Sequence, residues 1–328
     1  MVEPKPAPTL LGRLAPWIRL AVTAGILGFL AGRVDFAQLG QWFLSANPVW
    51  LTGALLLTLV SILLCGLRFW LLLRLQKISL PLLRSLYLTL VGFFFSLFLI
   101  GSTGGDAIRL YYLIRWFPGQ KARSALAILL DRVFGVAVLL GLTLLLLPAT
   151  ASRLAQDPAF APLARAIPWL GPTGAILLLL AFVLPGLLPG LPLPARLPGR
   201  DVIRDLLHAL RDTMHGGWTT LAAVSIAISV HLFSFAAATC LACSLNLPID
   251  YPLAGLIAFL VFSASALPIS VSGHGVREGV MIFLFAHLGI SQEKEPAIAF
   301  SILLWGLGFF WSLLGGLAYL TWRTPQKK

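Results

Sequence analysis

Residues 82–117, LLRSLYLTLVGFFFSLFLI-GSTGGD-AIRLYYLIRWF, decide the fold of this chain. An apolar run of 19 residues (82–100) leads into a glycine-rich polar segment, and a second apolar run (107–117) follows it. A helix needs about 20 apolar residues to cross a bilayer core, so the second run is too short to cross. Residues 252–290 repeat this order around Gly273–Gly275. The two stretches therefore predict two helical hairpins that turn back within the membrane.

The composition places the whole chain in a membrane. Of its 328 residues, 59% are hydrophobic and 11% are charged, and the mean hydropathy is +0.92. Soluble domains average about 45–50% apolar and about 25% charged residues. A soluble enzyme, a disordered chain and a disulfide-rich secreted domain are therefore excluded. The net charge of +12 would suggest a nucleic-acid partner in a soluble protein, but in a membrane chain positive charge orients the helices, and we predict no nucleic-acid partner.

Positive charges predict the topology. Complete crossings are expected at residues 15–31, 48–73, 124–147, 168–191, 218–244 and 296–322. With both hairpins re-entrant, fourteen Lys and Arg fall in segments on one side and four on the other. Such an excess marks the cytoplasmic side, whereas a full crossing at 82–100 would place the positive charges of 109–123 outside. We therefore predict an all-α polytopic membrane protein with about six full transmembrane helices, two re-entrant helical hairpins and both termini in the cytoplasm.

Residues 1–328 are expected to form a single membrane domain that contains an inverted repeat. A helix, a hairpin and a helix over 48–147 recur over 218–322 at an offset of about 170 residues, and the charge-derived topology gives the two units opposite orientations. Many secondary transporters have inverted repeats with broken helices that meet near the midplane. Residues 192–217 are predicted to form a cytoplasmic linker with an amphipathic helix at 201–214, for which an ordinary solvated connector helix is an equal alternative.

Charged residues inside apolar spans are the candidate functional residues, because such charges are costly in a membrane. Glycines let backbone N–H groups point into a cavity, the half-helix that follows offers its positive end, and arginine adds a fork that suits phosphate. The acidic residues would neutralise the arginines, meet a cationic headgroup or carry a proton, and the histidine is another proton carrier. The predicted substrate-binding residues are Gly104, Gly105, Asp106, Arg109, Asp131, Arg132, Gly273, His274, Gly275, Arg277 and Glu278.

Simpler interpretations stand beside this one. Asp131 and Arg132 would serve equally well in structural ion pairs between helices, and the glycine segments would serve as tightly packed helix breaks. Arg68, near a helix end, is expected to extend to the lipid headgroups. Lone histidines at 231 and 287 are expected to be hydrogen-bonded packing residues. No metal or cofactor is expected, because the three cysteines, Cys65, Cys240 and Cys243, lie in apolar runs without metal-ligand spacing.

At these residues the sequence resembles a known family. The matching pieces are Arg68-Phe-Trp, Gly104-Gly-Asp-Ala-Ile-Arg109, Asp131-Arg-Val-Phe-Gly135 and Leu267-Pro-Ile-Ser-Val-Ser-Gly-His-Gly-Val-Arg-Glu-Gly279, in order over nearly the whole chain. They are similar to the flippase-type domain that forms the membrane half of bacterial lysylphosphatidylglycerol synthases and also occurs as stand-alone proteins. The resemblance implies a bacterial inner-membrane protein that moves an anionic or aminoacylated phospholipid, or a related lipid, between leaflets.

The expected function is lipid transport without covalent chemistry, with a membrane phospholipid as partner. The chain ends at Lys328 just beyond its last predicted helix, so we expect no aminoacyl transfer. The competing class is an intramembrane lipid phosphatase, because Ser270–His274 resembles part of its Ser-Gly-His element. That enzyme also needs a downstream His with an Asp, and no Asp follows His274. An accessory subunit of a lipid-modifying glycosyltransferase, a separate lipid-modifying enzyme as partner and a homo-oligomer all stay open.

Overall fold

A computed structural model of the chain describes residues 34–98, 104–158, 160–187, 215–266 and 273–321, together with positions 24, 25, 28, 29, 32, 204, 208, 211–213 and 270. All regular secondary structure in these residues is helical, which confirms the all-α class. The helices with described bounds are α1 (Phe36–Leu44), α2 (Pro48–Leu75), α3 (Leu82–Phe98), α4 (Gly104–Trp116), α5 (Lys121–Leu154), α6 (Ala161–Leu187), α7 (Trp218–Ser244), α8 (Tyr251–Ala266), α9 (Val276–His287) and α10 (Glu295–Thr321).

Four of these helices are long and apolar enough to cross a membrane: α2, α7, α10, and α5 with the 3-10 turn Pro118–Gln120 before it. They correspond to four of the six predicted crossings. The fifth, at 168–191, overlaps the 27-residue helix α6, which begins seven residues earlier. The sixth, at 15–31, lies outside the described residues except for four positions, and so does most of the linker helix at 201–214. The number of crossings stays a prediction.

Helices α3 and α4 pack against each other as an antiparallel hairpin. From the open end inward, the contacting pairs are Arg84 with Trp116 (guanidinium carbon to ring centroid 5.6 Å), Tyr87 with Tyr112 (ring centroids 6.4 Å) and Gly92 with Gly105. A side chain on Gly105 would overlap the Gly92 carbonyl oxygen and the Ser96 hydroxyl. The arms therefore touch backbone to backbone near the break. This is the antiparallel arrangement expected of the first hairpin, and its depth in the membrane stays a prediction.

The hairpin is packed between two long helices through further glycines. A Cβ on Gly66 of α2 would lie 2.6 Å from a Leu86 methyl group, and the Ser85 hydroxyl donates to the Gly66 carbonyl over 2.8 Å. On the other side, a side chain on Gly315 of α10 would overlap the Leu90 carbonyl. Because small residues allow helix backbones to approach closely in membranes, these contacts hold α3 firmly in the protein interior.

The second half of the chain contains the same order of helices as the first. A long helix, two short helices and a long helix make up α2–α5, and the same order makes up α7–α10. Between α8 and α9 lie Ser270 and Gly273–Gly275, while residues 267–269, 271 and 272 fall outside the described part of the chain. This order is what the predicted repeat requires, whereas the structural equivalence of the halves and the re-entrant depth of α8 and α9 stay predictions.

An apolar cavity of about 270 Å³ lies where α5, α8 and α9 meet. Leu140, Leu144 and Leu147 of α5 line it together with Leu260 of α8 and Leu284 of α9. Its walls are continuous with the largest apolar core of the described residues. The cavity therefore lies between the last helix of the first half and the two short helices of the second half.

Candidate functional site

Three helices bring five charged side chains together at the break between α3 and α4. Arg68 of α2 and Arg109 of α4 both approach Asp131 of α5: Arg68 Nε lies 2.8 Å from Oδ1, and Arg109 Nη1 lies 3.4 Å from Oδ2. Asp106, one turn before Arg109, accepts from Arg132 Nε over 2.6 Å and lies 3.8 Å from Arg109 Nη1. We call Arg68, Asp106, Arg109, Asp131 and Arg132 the charged cluster. Positive and negative groups alternate through it.

Glycines and one aromatic ring make room for the guanidinium groups. A Cβ on Gly92 would lie 2.7 Å from Arg109 Nε, and a Cβ on Gly135 would lie 3.6 Å from the terminal nitrogens of Arg68. On α2, the Phe69 ring lies 5.1 Å from the guanidinium carbon of Arg109, in cation–π geometry. The sequence therefore supplies both the charges and the small residues beside them that let the charges enter the protein interior.

The charged cluster is buried except at one end. Side-chain exposure is 7% for Arg68, 9% for Asp131, 10% for Arg109 and 18% for Asp106, and it rises to 40% for Arg132. Two buried donors, Arg68 Nη1 and Arg109 Nε, have no hydrogen-bond partner among the described residues. Buried polar groups are nearly always bonded. These donors therefore mark a place where an additional acceptor would be stabilised.

A second polar group lies at the start of α9. Arg277 pairs with Glu278 through Nη2, and its Nε lies 2.9 Å from the Ser301 hydroxyl of α10. The other oxygen of Glu278 accepts the Gly275 backbone N–H over 2.6 Å. This differs from the expectation that the glycine N–H groups here point freely toward a ligand, because Glu278 already caps the positive end of α9. We call Arg277, Glu278 and Ser301 the second cluster.

His274 packs beside the second cluster. Its ring meets the Trp305 ring edge-on at 5.3 Å, and the Arg277 guanidinium carbon lies 6.0 Å from the same ring. Gly273 has φ +76°, a conformation that favours glycine, and a Cβ there would lie 2.7 Å from the Cβ of Ser265. The tight turn therefore requires glycine at position 273, and the His274 ring packs against the Trp305 ring of α10.

The predicted site residues therefore fall into two groups. The charged cluster contains four of them: Asp106, Arg109, Asp131 and Arg132. Of the predicted residues between 273 and 278, Arg277 and Glu278 belong to the second cluster, and the glycines and His274 lie beside it. Gly104 begins α4 and Gly105 is its contact with α3. Whether any of these residues binds substrate stays a prediction.

The expectation for Arg68 is wrong, and two residues of α10 were missed. Arg68 is 5% exposed and does not reach toward the headgroups, because Asp131 binds it inside the protein. Asp131 and Arg132 both form ion pairs between helices, as the simpler interpretation expects, with Arg68 and Asp106 as partners. Ser301 and Trp305 stand four residues apart in an apolar run, and the sequence offers no signal for them beyond that spacing.

The lone histidines are hydrogen-bonded, as expected. His231 Nε2 lies 2.9 Å from the Gly135 carbonyl, and His287 Nδ1 lies 2.6 Å from an Asp157 carboxylate oxygen. Within the described ranges, no group of three or more His, Cys, Asp and Glu could hold a metal ion. The chemistry available at the two clusters is that of guanidinium groups, carboxylates and hydroxyls, which bind anions and polar headgroups.

Long apolar helices that surround buried ion pairs define a multi-pass membrane protein. Residues 17–316 of the chain match the family described as the lysylphosphatidylglycerol synthase TM region. The match covers most of the chain, so the protein belongs to this family, and its role is a lipid-related one in the membrane. A search of curated proteins found no significant match.

Proposed function

We propose that the protein is a lipid flippase of the bacterial inner membrane, which moves a phospholipid or a related lipid between leaflets without covalent chemistry. The observation that carries the proposal is the charged cluster. It consists of five Arg and Asp side chains among apolar helices, two buried guanidinium donors without a partner in the described residues, and an exposed end at Arg132.

A contribution to stability alone would not explain why the protein contains such a cluster. Removing charges from water costs several kcal/mol per ion, and well-packed apolar residues of similar volume often stabilise a protein as much as a buried ion pair does. Ionisable residues within membrane segments therefore usually serve a substrate pathway. A lipid phosphate that reaches Arg132 would meet a cationic surface within the membrane, where a headgroup otherwise has no favourable partner.

The position of the cluster also supports transport. Asp106 and Arg109 lie in the first turns of α4, beside the break that separates it from α3. Breaks of this kind are where secondary transporters bind their substrates near the midplane. If the predicted topology holds, the second cluster lies at a corresponding break reached from the opposite leaflet, which would give a headgroup one polar site on each side.

The proposed test measures movement of fluorescent phospholipids in proteoliposomes that contain the full chain. Fluorophores in the outer leaflet are destroyed by a membrane-impermeant reductant, and the later loss of protected fluorescence reports transfer between leaflets. Arg109→Ala and Arg277→Ala should each slow transfer by about tenfold or more, because a hydrogen bond to a charged group contributes about 1.5–3 kcal/mol.

Arg165→Ala is the matched control. Arg165 lies on α6, where its Nε donates within its own helix to the Ala161 carbonyl at 3.4 Å, and it is exposed. This variant loses one positive charge outside both clusters and should transfer lipid at the wild-type rate. Size-exclusion profiles in detergent would identify variants that misfold. Equal transfer by liposomes with and without wild-type protein would contradict the proposed function, and wild-type rates in both cluster variants would contradict the site.

A further inference from the structure

We infer that the apolar cavity between α5, α8 and α9 holds one acyl chain of a membrane phospholipid, which is bound by its tail whatever its headgroup. The cavity is separate from both clusters. Its first lining residue on α5, Leu140, lies eight residues after Arg132, about 12 Å along the helix. Its first lining residue on α9, Leu284, lies seven residues after Arg277, about 10 Å along that helix.

The first argument is that the cavity is large and unsuited to water. Protein interiors contain few voids larger than a water molecule, whereas this cavity measures about 270 Å³. Thr143 is the one polar residue among those that line it, and its hydroxyl already donates to the Leu139 carbonyl of the same helix over 2.8 Å. A buried water needs about two to four polar partners. The cavity therefore favours an apolar occupant.

The second argument is size and shape. An engineered apolar cavity of about 150 Å³ in another protein binds benzene, so a cavity of about 270 Å³ has room for about eleven carbon atoms. The lining residues of α5 run from Leu140 to Leu154, about 21 Å along the helix. One leaflet contributes about 15 Å of the hydrocarbon core. An elongated apolar space of this length matches an acyl chain, which is the abundant apolar molecule around a membrane helix.

The third argument is the distribution of charge. Residues 133–152 of α5 and the whole of α8 contain no charged side chain. At one end of the cavity, the Phe160 ring meets the His287 ring edge-on at 5.8 Å, and His287 pairs with Asp157. Arg153, in the last turn of α5, is 30% exposed and adds a guanidinium group to this end. A phospholipid has the same polarity along its length, because its phosphate lies above an apolar chain.

The location gives the bound chain a structural role. Helix α5 ends the first half of the chain, while α8 and α9 belong to the second half, so an acyl chain in the cavity packs against both. A ligand that binds only the folded protein stabilises it. We therefore expect this phospholipid to support the packing of the two halves, apart from any lipid that is transferred at the clusters.

The experiment uses the full-length protein in nanodiscs of phosphatidylcholine that contain a small fraction of photoreactive phospholipid. The probe carries a diazirine in the middle of one acyl chain, and peptide mass spectrometry identifies the side chains labelled after irradiation. Leu284 and Leu288 line the cavity and are only 5% and 3% exposed, whereas Phe310 is 51% exposed and reports contact with surrounding lipid. We expect label at Leu284 or Leu288 with phosphatidylglycerol and phosphatidylcholine probes alike.

Two variants fill the cavity from different walls, Leu147→Phe on α5 and Leu260→Phe on α8. Phenylalanine is larger than leucine by about three carbon atoms, and each buried methylene group changes an affinity about fourfold, so each variant should lower the cavity label about tenfold or more. Leu145→Phe is the matched control, because it adds the same ring to α5 at a side chain that is 61% exposed. It should leave the label at Leu284 and Leu288 unchanged.

The outcomes separate this inference from the proposed function. Label at Phe310 without label at Leu284 or Leu288 in the wild type would overturn the acyl-chain site, and so would a cavity label that survives in both filling variants. A cavity label obtained with only one of the two headgroups would overturn binding by the tail. The expected labelling pattern without any lipid transfer in proteoliposomes would uphold the acyl-chain site and contradict the flippase activity.

Discussion

Replacing Asp131 with asparagine is the sharpest test of the charged cluster. The substitution preserves the shape of the side chain and removes its charge. Asp131 is 7% exposed, lies 2.8 Å from Arg68 and 3.4 Å from Arg109, and joins α5 to both other helices of the cluster. Without the charge, two buried guanidinium groups lose a counterion, so we expect the protein to be strongly destabilised.

The expected loss of stability differs between substitutions of Asp131 and of Arg68. Breaking a buried ion pair costs about 3–5 kcal/mol, because a charge is left uncompensated. An asparagine oxygen still accepts one hydrogen bond and Arg109 keeps Asp106 at 3.8 Å, so Asp131→Asn should cost about 3 kcal/mol, near the lower end of that range. Arg68→Met leaves Asp131 beside Arg109 and should cost about 1–2 kcal/mol, the range for one lost buried bond.

The double variant supplies the decisive comparison. The double variant Arg68→Met/Asp131→Asn also lacks the Arg68 guanidinium, which loses its counterion in the single Asp131→Asn variant. The double variant should therefore be less destabilised than Asp131→Asn alone, by about 1 kcal/mol or more. Free energies of unfolding would be measured by titrating SDS into mixed micelles, with the fluorescence of the ten tryptophans as the signal. Additive losses, or an Asp131→Asn no less stable than Arg68→Met, would refute the reasoning.

Three further predictions concern packing and topology. Gly105→Ala should lower stability by about 1–3 kcal/mol, because its methyl group would overlap the facing backbone of α3, while Gly119→Ala, where nothing lies within 4 Å, should change the same unfolding free energy little. His287→Phe should lower thermal stability because it removes the 2.6 Å bond between His287 Nδ1 and the Asp157 carboxylate, and Asp157→Asn should cost less in the His287→Phe background than in the wild type; equal costs in the two backgrounds would contradict a direct pairing. A single cysteine at Lys121, in a background without the three native cysteines, should react with an impermeant thiol reagent only from the cytoplasmic side, and labelling of intact cells would contradict the predicted topology.

The lengths of the apolar runs predicted the long helices well, because lipid allows few alternatives to a complete helix. Helix ends were harder to predict. Helix α5 continues to Leu154, past Pro148, where the missing N–H usually ends a helix. The neighbouring helix makes a close contact at this point: a Cβ on Gly171 of α6 would lie 2.6 Å from the Leu144 carbonyl, the one that Pro148 cannot bond. The sequence around a proline does not reveal such a distant neighbour.

The short helix α1 was missed altogether. It has nine residues, capped by the Asp35 carboxylate, which accepts the N–H groups of Ala37 and Gln38. Its one buried side chain, Leu39, packs against the start of α10. A run this short has little helical stability of its own. Its structure depends on a contact with residues more than 250 positions away, which local patterns do not encode.

The candidate site was predictable in its residue types and unpredictable in its pairings. Asp106, Arg109, Asp131 and Arg132 stand out because charges are rare in apolar spans. Arg68 carries the same signal, but its place near a helix end favoured the headgroup region. Its burial follows from Asp131, 63 positions away, and ion pairs between helices leave no periodic trace in a sequence. Likewise, only the folded chain shows that Glu278 accepts a hydrogen bond from the Gly275 N–H.

The backbone contact between Gly92 and Gly105 has a mechanical consequence. Two helices that touch through their main chains cannot slide or rotate past each other without collision, so α3 and α4 must tilt together as one lever. The lever is tied to α5 by two ion pairs, Arg132 with Asp106 at the exposed edge of the charged cluster and Arg109 with Asp131 inside it. A swing of the lever away from α5 would have to stretch both, and only the outer pair is exposed enough for a phosphate to compete for its arginine. Ligand arrival would then loosen one of the two bonds that hold the lever in place.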